Sequence, residues 1–388
     1  MALVFVTRCS TLAAVALNLA LCTAVGAQVA TSSAPPDAPR MPGVPFDELA
    51  RRASEEWKQG RLEEALRFYR AGVELNPLWD EGWWFVGSIH HERQQFAEAR
   101  DAYRRVVELK PDAGAAWALL GVCEYRLGHR EEALAYLWKG DALGFGGNTE
   151  IARLAAYHLA VLLIRSGQFD LPARYLTRLA RLEGEAPDIV AACGLMTLQM
   201  PLLPSEVPAK DRDLVMATGR AVCSALAGRG VEARQRFETL IATYPSTPRV
   251  HYAFGLFLSL EGSGDALAML RREVGLFPEN WQAHLQIALD LLARGTPAEA
   301  LPHAREAALR APETFAVHLA LGRALIGTDA VGEGIAELEE AARLAPDFPD
   351  VYLALAQGYA RAGRTEDVER ARAKLAALHA NQRPQSGP

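Results

Sequence analysis

From about residue 45 to residue 380 the chain alternates amphipathic stretches with short breaks of glycine or polar residues. Apolar residues fall at i, i+3, i+4 and i+7 over runs of about 12–15 positions, which is one face of a helix and not the alternation of a strand. Gly60, Gly128, Gly167 and Gly295 stand where one run gives way to the next, and glycine there stops a helix and permits a left-handed turn. Pro77, Pro111, Pro245, Pro312 and Pro346 follow every second run, where a ring that cannot continue a helix ends it. The pattern predicts pairs of antiparallel helices throughout.

Self-comparison shows that the pairs repeat. With Trp83, Val86, Gly87, Phe96, Ala99, Tyr103, Val106 and Pro111 as template, the positions 34 residues earlier are Leu49, Arg52, Ala53, Leu62, Ala65, Tyr69, Gly72 and Pro77. Those 34 residues later are Trp117, Leu120, Gly121, Arg130, Ala133, Leu137, Gly140 and Phe145. The same slots return at His284 to Pro312 and at His318 to Pro346. A shorter copy opens at His251, and a last one opens at Tyr352. Small residues such as Gly87 and Ala99 let the two helices of a pair approach to about 8–10 Å. A single pair cannot bury its apolar face, so neighbours must stack.

A unit of this length, with an aromatic, Leu-Gly, a tight turn, Ala, an aromatic, Ala and a closing Pro, resembles the tetratricopeptide repeat family. The resemblance covers roughly residues 45–380 and weakens at the centre. It implies an all-α fold, a right-handed superhelical solenoid of helix hairpins. The reading divides the chain into three repeats over 45–147, degenerate helical units over 148–212 with a Pro-rich insertion at 201–210, about five repeats over 213–380, and a disordered tail at 381–388. In the degenerate part Gly167, Phe169, Leu176 and Leu179 keep the register, but Pro172 stands where Ala is usual. Residues 188–200 read as a helix. Pro201, Pro204 and Pro208 exclude one after it, although Leu202 and Leu203 are apolar enough to pack.

The first residues follow a different pattern. Arg8 precedes an uncharged run from Thr11 to Val25, and Val25-Gly26-Ala27 supplies small residues for cleavage before Gln28. This predicts a secretory signal peptide over 1–27, with Leu21 arguing against lipid anchoring at Cys22. A flexible leader rich in Pro, Ala and Ser follows over 28–44. The expected location is exported, periplasmic or secreted, with no membrane insertion after cleavage.

Net charge is −6 and no cluster of Lys or Arg occurs, which excludes nucleic acid as the main partner. Of the five cysteines, Cys123, Cys193 and Cys223 remain after cleavage. Cys193 and Cys223 are the pair to consider for a disulfide, against three small buried thiols.

No phosphate loop, nucleophile elbow or His-Glu-x-x-His occurs. Gly144-Phe145-Gly146-Gly147 follows no strand and reads as a loop between repeats. His251, His284 and His318 recur like a ladder, but equivalent slots of stacked hairpins lie about 10 Å apart, too far to share one metal. The expectation is no catalytic residue, no metal, no cofactor and no enzyme. A catalytic site near residues 140–213 would have only Asp188, Cys193 and Gln199 to work with.

Six of the seven tryptophans lie in the first three repeats. The resemblance places a peptide groove on the other face of each first helix, and by register that face carries Trp57, Lys58, Trp84, Phe85, Ser88, His91, Tyr125 and Arg126. Aromatic rings beside cations favour interaction hot spots; for Trp84 and Phe85 the other reading is packing against the preceding hairpin. Family members that clamp C-terminal carboxylates use Lys and Asn on the first helix; the matching slots here are Ala50 and Ser54. In the C-terminal repeats the corresponding slots, Tyr252, Leu256, Leu285, Leu289, Leu319 and Ile326, are apolar. They are read as buried, or as a face for a partner helix or for a homo-oligomer.

The reading of function is an exported scaffold that binds a protein or peptide in its groove, with cell-envelope assembly as its setting. The alternative is a helper or regulatory subunit of an envelope enzyme.

Overall fold

A computed structural model describes residue 41 and residues 43–382. The signal peptide at 1–27, Cys22, most of the leader and residues 383–388 of the tail lie outside the described residues. All elements among the described residues are helical. The chain falls into two compact units that divide between Leu162 and Leu163.

The first unit holds α1 (Phe46–Lys58), α2 (Leu62–Leu75), α3 (Asp80–Glu92), α4 (Phe96–Leu109), α5 (Gly114–Leu127) and α6 (Arg130–Leu143). It also holds most of α7 (Thr149–Arg165). The second begins with α8 (Pro172–Glu183), α9 (Pro187–Leu198), α10 (Arg212–Leu226), α11 (Gly230–Thr243), α12 (Val250–Leu260) and α13 (Ala266–Leu276). It continues through α14 (Trp281–Ala293), α15 (Pro297–Arg310), α16 (Phe315–Gly327), α17 (Val331–Leu344), α18 (Pro349–Arg361) and α19 (Thr365–Gln382). α19 thus extends two residues into the stretch read as a tail.

Each turn inside a hairpin closes in the same way. The backbone N–H of a residue ahead of the second helix donates to a carbonyl five positions back. Gln95 reaches His90 at 2.9 Å, His129 reaches Glu124 at 2.9 Å, Thr296 reaches Leu291 at 3.0 Å and Arg364 reaches Tyr359 at 2.9 Å. The residue just before the donor is left-handed, as the Schellman closure requires. It is glycine at Gly128 (φ +90°) and Gly295 (φ +75°), but Gln94 (φ +60°) and Asp329 (φ +66°) elsewhere. In the first unit side chains reinforce the same step: Glu56 pairs with Arg61, His90 Nδ1 meets Gln95 Oε1 at 2.8 Å, and Glu124 meets His129 at 2.7 Å.

The second helix of a pair stops two residues before its proline: α2 at Leu75, α4 at Leu109, α15 at Arg310. The proline carbonyl then accepts from the ring six positions on. Trp83 and Trp117 donate through Nε1 to Pro77 and Pro111 at 3.0 and 2.9 Å. His251, His284 and His318 do so through Nε2 to Pro245, Pro278 and Pro312 at 3.0, 3.2 and 2.8 Å. Tyr352 donates its hydroxyl to Pro346 at 2.8 Å. The histidine ladder is therefore a set of donors. Because the carbonyl can only accept, Nε2 carries the proton in all three rings.

Small residues set the distance within a pair: a Cβ on Gly121 would lie 2.8 Å from Leu137 and 3.0 Å from the Ala133 carbonyl. The apolar faces close into cores such as Ile287, Leu291, Ala300, Leu321 and Leu325 in the second unit. Of the apolar slots named for a C-terminal groove, Leu319 and Ile326 are buried, and Tyr252, Leu256, Leu285 and Leu289 are half-buried.

The centre departs from the period for identifiable reasons. Pro172, out of place in the repeat, is the first residue of α8, where a missing N–H costs nothing. That helix accordingly begins at the slot that lies three residues inside α4. After α9 the Pro-rich stretch makes two 3-10 turns, at 204–206 and 209–211, and buries Leu203 and Val207.

One buried carboxylate joins three helices of the second unit. Glu273, on α13, is fully buried. It accepts from the N–H of Arg249 at 2.7 Å and of Tyr252 at 3.1 Å, capping α12 in place of a local side chain. It also holds Asn280 Nδ2 at 2.8 Å, and Asn280 caps α14 through Ala283 N at 3.2 Å. Arg249, left-handed at φ +71°, reaches back to the Thr197 carbonyl at 3.0 Å and so ties this network to the end of α9.

Candidate functional site

Helices α1, α3 and α5 carry the eight residues that the register assigned to one face, and the structure divides them into two groups. Trp57 and Phe85 belong to packing. Their rings lie 5.2 Å apart, and Phe85 stacks on Tyr69 at 4.9 Å. Tyr69 in turn meets Trp79 at 5.6 Å, and Trp79 meets Phe46 edge-on at 5.1 Å. This chain of five rings fastens the first hairpin to α3. Trp79, the link between Tyr69 and Phe46, was not singled out from the sequence. The signal was the pair Gly72 and Gly82, where a Cβ would strike the Trp79 ring at 2.6 and 2.3 Å.

The remaining residues lie further along. Trp84 is half-buried and sits edge-on to Tyr103 at 5.7 Å. Ser88 donates to the Trp84 carbonyl at 2.9 Å and accepts from the Tyr103 hydroxyl at 3.3 Å, which holds that rim in place. Arg126 is exposed, and its guanidinium lies 4.3 Å over the Phe96 ring. His91 touches the same ring edge-on at 5.6 Å. Tyr125 is half-buried and meets His158 edge-on at 4.8 Å. Lys58 stands apart, exposed at the end of α1 beside Arg51, Ser54, Glu55 and Gln59.

Electrostatics single out two rings here. Burial pushes His91 down to about 4, helped by the positive charge of Arg126. Burial pushes His158 to about 4 as well; its bond to the Leu154 carbonyl opposes this, while Arg126 and His91 add to it. Both rings are neutral at pH 7, so Arg126 is the positive charge at this end of the face. His158 was missed from the sequence, although it falls 33 residues after Tyr125, as Tyr125 falls 34 after His91 and His91 34 after Trp57.

Elsewhere polar clusters are already engaged. In the second unit a depression is lined by Tyr352, Tyr359, Arg364 and Asp367, but Arg364 pairs with Asp367 and lies 4.5 Å over the Tyr359 ring. His284 Nδ1 and His303 Nδ1 are 3.0 Å apart. Since His284 gives its Nε2 proton to Pro278, the neutral ring accepts at Nδ1 and His303 donates. Among the described residues no group of three or more His, Cys, Asp or Glu side chains could hold a metal ion. No helix among them is long and apolar enough to cross a membrane.

The tetratricopeptide repeat family model matches residues 51–113, 92–139 and 285–347. Those segments carry tetratricopeptide repeats. Over 56 residues, 14% of this chain, it is 36% identical to the human protein O-mannosyl-transferase TMTC1; the match spans 6% of that protein's length. Among solved structures it is similar to MamA from Desulfovibrio magneticus RS-1, with TM-score 0.39 and 20% identity over 44% of this chain and 96% of that one. It is also similar to the Cut9–Hcn1 hetero-tetramer of the APC/C, with TM-score 0.36 and 15% identity over 85% of this chain and 66% of that one. The repeats are those of a protein-interaction scaffold, and the slots that the repeat reserves for packing account for Trp83, Trp117 and the three slot histidines.

Proposed function

We propose that the chain is an exported scaffold whose N-terminal tetratricopeptide repeats hold a protein or peptide partner on the face of α3 and α5. Arg126, Trp84 and Tyr125 meet the partner; Ser88 and His91 shape the surface beneath it, and Trp57 and Phe85 hold the hairpins that carry it. The observation that carries this reading is the Arg126 guanidinium, exposed yet held 4.3 Å over Phe96. Trp84 on α3 and Tyr125 on α5 are half-buried aromatic residues of the same two helices. A cation held in place by a ring loses little freedom when it engages an acidic or carbonyl-rich ligand, and aromatic rings supply area at low entropic cost. The uncharged run and small-residue exit before Gln28 support export, with the cell envelope as the setting.

The test is affinity capture from an envelope extract with the wild-type chain and a Trp84→Ala, Arg126→Ala variant, after matching their helical circular dichroism. The expected result is one stoichiometric protein retained by the wild type and lost by the variant, with a measured affinity at least tenfold weaker for the variant. Equal retention by both would remove this face as the binding surface.

A further inference from the structure

Two cysteines thirty positions apart meet in the core of the second unit. Cys193 on α9 and Cys223 on α10 are fully buried, and their sulfurs lie 2.9 Å apart. The backbone causes this closeness. A Cβ on Gly194, next to Cys193, would lie 2.1 Å from the Val215 carbonyl oxygen, and one on Gly219 would lie 1.9 Å from that of Val190. These two glycines therefore press α9 and α10 together, backbone against backbone. The sulfurs need approach by only about 0.9 Å more to reach the bonded separation of about 2.05 Å.

We propose that Cys193 and Cys223 form an intrachain disulfide that staples α9 to α10 when the chain folds in the presence of a low-molecular-weight disulfide. One cysteine, as thiolate, attacks a sulfur of the small disulfide and expels a small thiolate, leaving a mixed disulfide on the protein. The second cysteine, as thiolate, attacks the protein sulfur of that mixed disulfide and expels the other small thiolate. Two protein thiols are oxidised and one small disulfide is reduced; the two protons leave on the released thiols. Burial raises the Cys193 thiol well above its ordinary value, reinforced by Cys223, so thiolate is scarce once the helices have closed. Exchange accordingly precedes the docking of α9 on α10. Cys123, buried in α5 of the first unit, serves as an internal reference that stays reduced.

The full-length chain is unfolded in denaturant with reductant, then refolded in a glutathione redox buffer or in reductant alone. It is quenched by alkylation in denaturant and digested with trypsin. The expected product is peptide 182–210 joined to peptide 221–229, two hydrogens lighter than their sum. It should be present only after oxidative refolding and should be lost on reduction, with Cys123 alkylated throughout. The oxidised protein should also unfold at higher urea than the reduced one, a difference absent from Cys223→Ala. Complete alkylation of Cys193 and Cys223 after oxidative refolding, or either one joined to another cysteine, would overturn the proposal.

Discussion

The slot filled by Trp83 and Trp117 in the first unit is filled by His251, His284, His318 and Tyr352 in the second, and all six rings donate to a proline carbonyl six residues back. What the repeat selects is therefore a planar ring with an N–H or O–H at its far end, not an aromatic as such and not a metal ligand. The units differ in what surrounds that shared bond. In the first, Trp117 is covered by Tyr136 at 5.4 Å and by Lys139 at 3.7 Å, and the titratable rings His91 and His158 lie on other slots. In the second, polar groups take over the joints between helices, as Glu273 does for α12 and α14. The same backbone period thus tolerates an aromatic solution and a polar one.

The largest effect that could break this comparison is acid. His91 and His158 are neutral when folded and take up protons when unfolded below about pH 6.5, so stability falls with pH between about 6.5 and about 4. Each ring contributes about 3 kcal/mol to that loss. Urea midpoints measured across this interval should drop steeply for the wild type and much less for a His91→Phe, His158→Leu variant. An unchanged slope in the variant would move the acid-sensitive groups to the second unit, where burial also lowers His284 and His303.

Next in size is the polar joint. Glu273→Ala leaves three donors without their acceptor and should cost about 3 kcal/mol. Glu124→Ala, which frees only Arg104 on α4 and His129 just ahead of α6, should cost about 1 kcal/mol. Chemical denaturation of both variants measures the difference, and equal costs would mean that the Glu273 network does not join helices as described.

The donor slot predicts a smaller effect. Trp83→Phe and His318→Phe should each lose about 1 kcal/mol through the orphaned proline carbonyl, whichever ring was present. A neutral His318→Phe beside a costly Trp83→Phe, read from thermal unfolding, would show that the two units use the slot differently after all.

The smallest effect concerns the turns. Gln94→Gly and Asp329→Gly relieve a left-handed backbone at the position that glycine fills in most repeats, and each should gain about 0.5 kcal/mol, visible as a small rise in Tm.

The 34-residue spacing alone was enough to read the hairpins, the turn glycines and the closing prolines. These depend on local chemistry: a residue that tolerates a left-handed turn, or one that cannot continue a helix, acts wherever it stands. Register assigned the eight residues to one face of α1, α3 and α5. It could not separate Phe85, held between Trp57 and Tyr69, from Arg126, left exposed over Phe96. Nor could it find Trp79, His158 or the reach of Glu273, and it paired Cys193 with Cys223 without deciding between a disulfide and two buried thiols, which lie 2.9 Å apart. Periodicity tells which neighbour a side chain faces, whereas packing sets how much room that neighbour leaves. That room depends on residues many positions away, such as the glycines that let α9 and α10 touch.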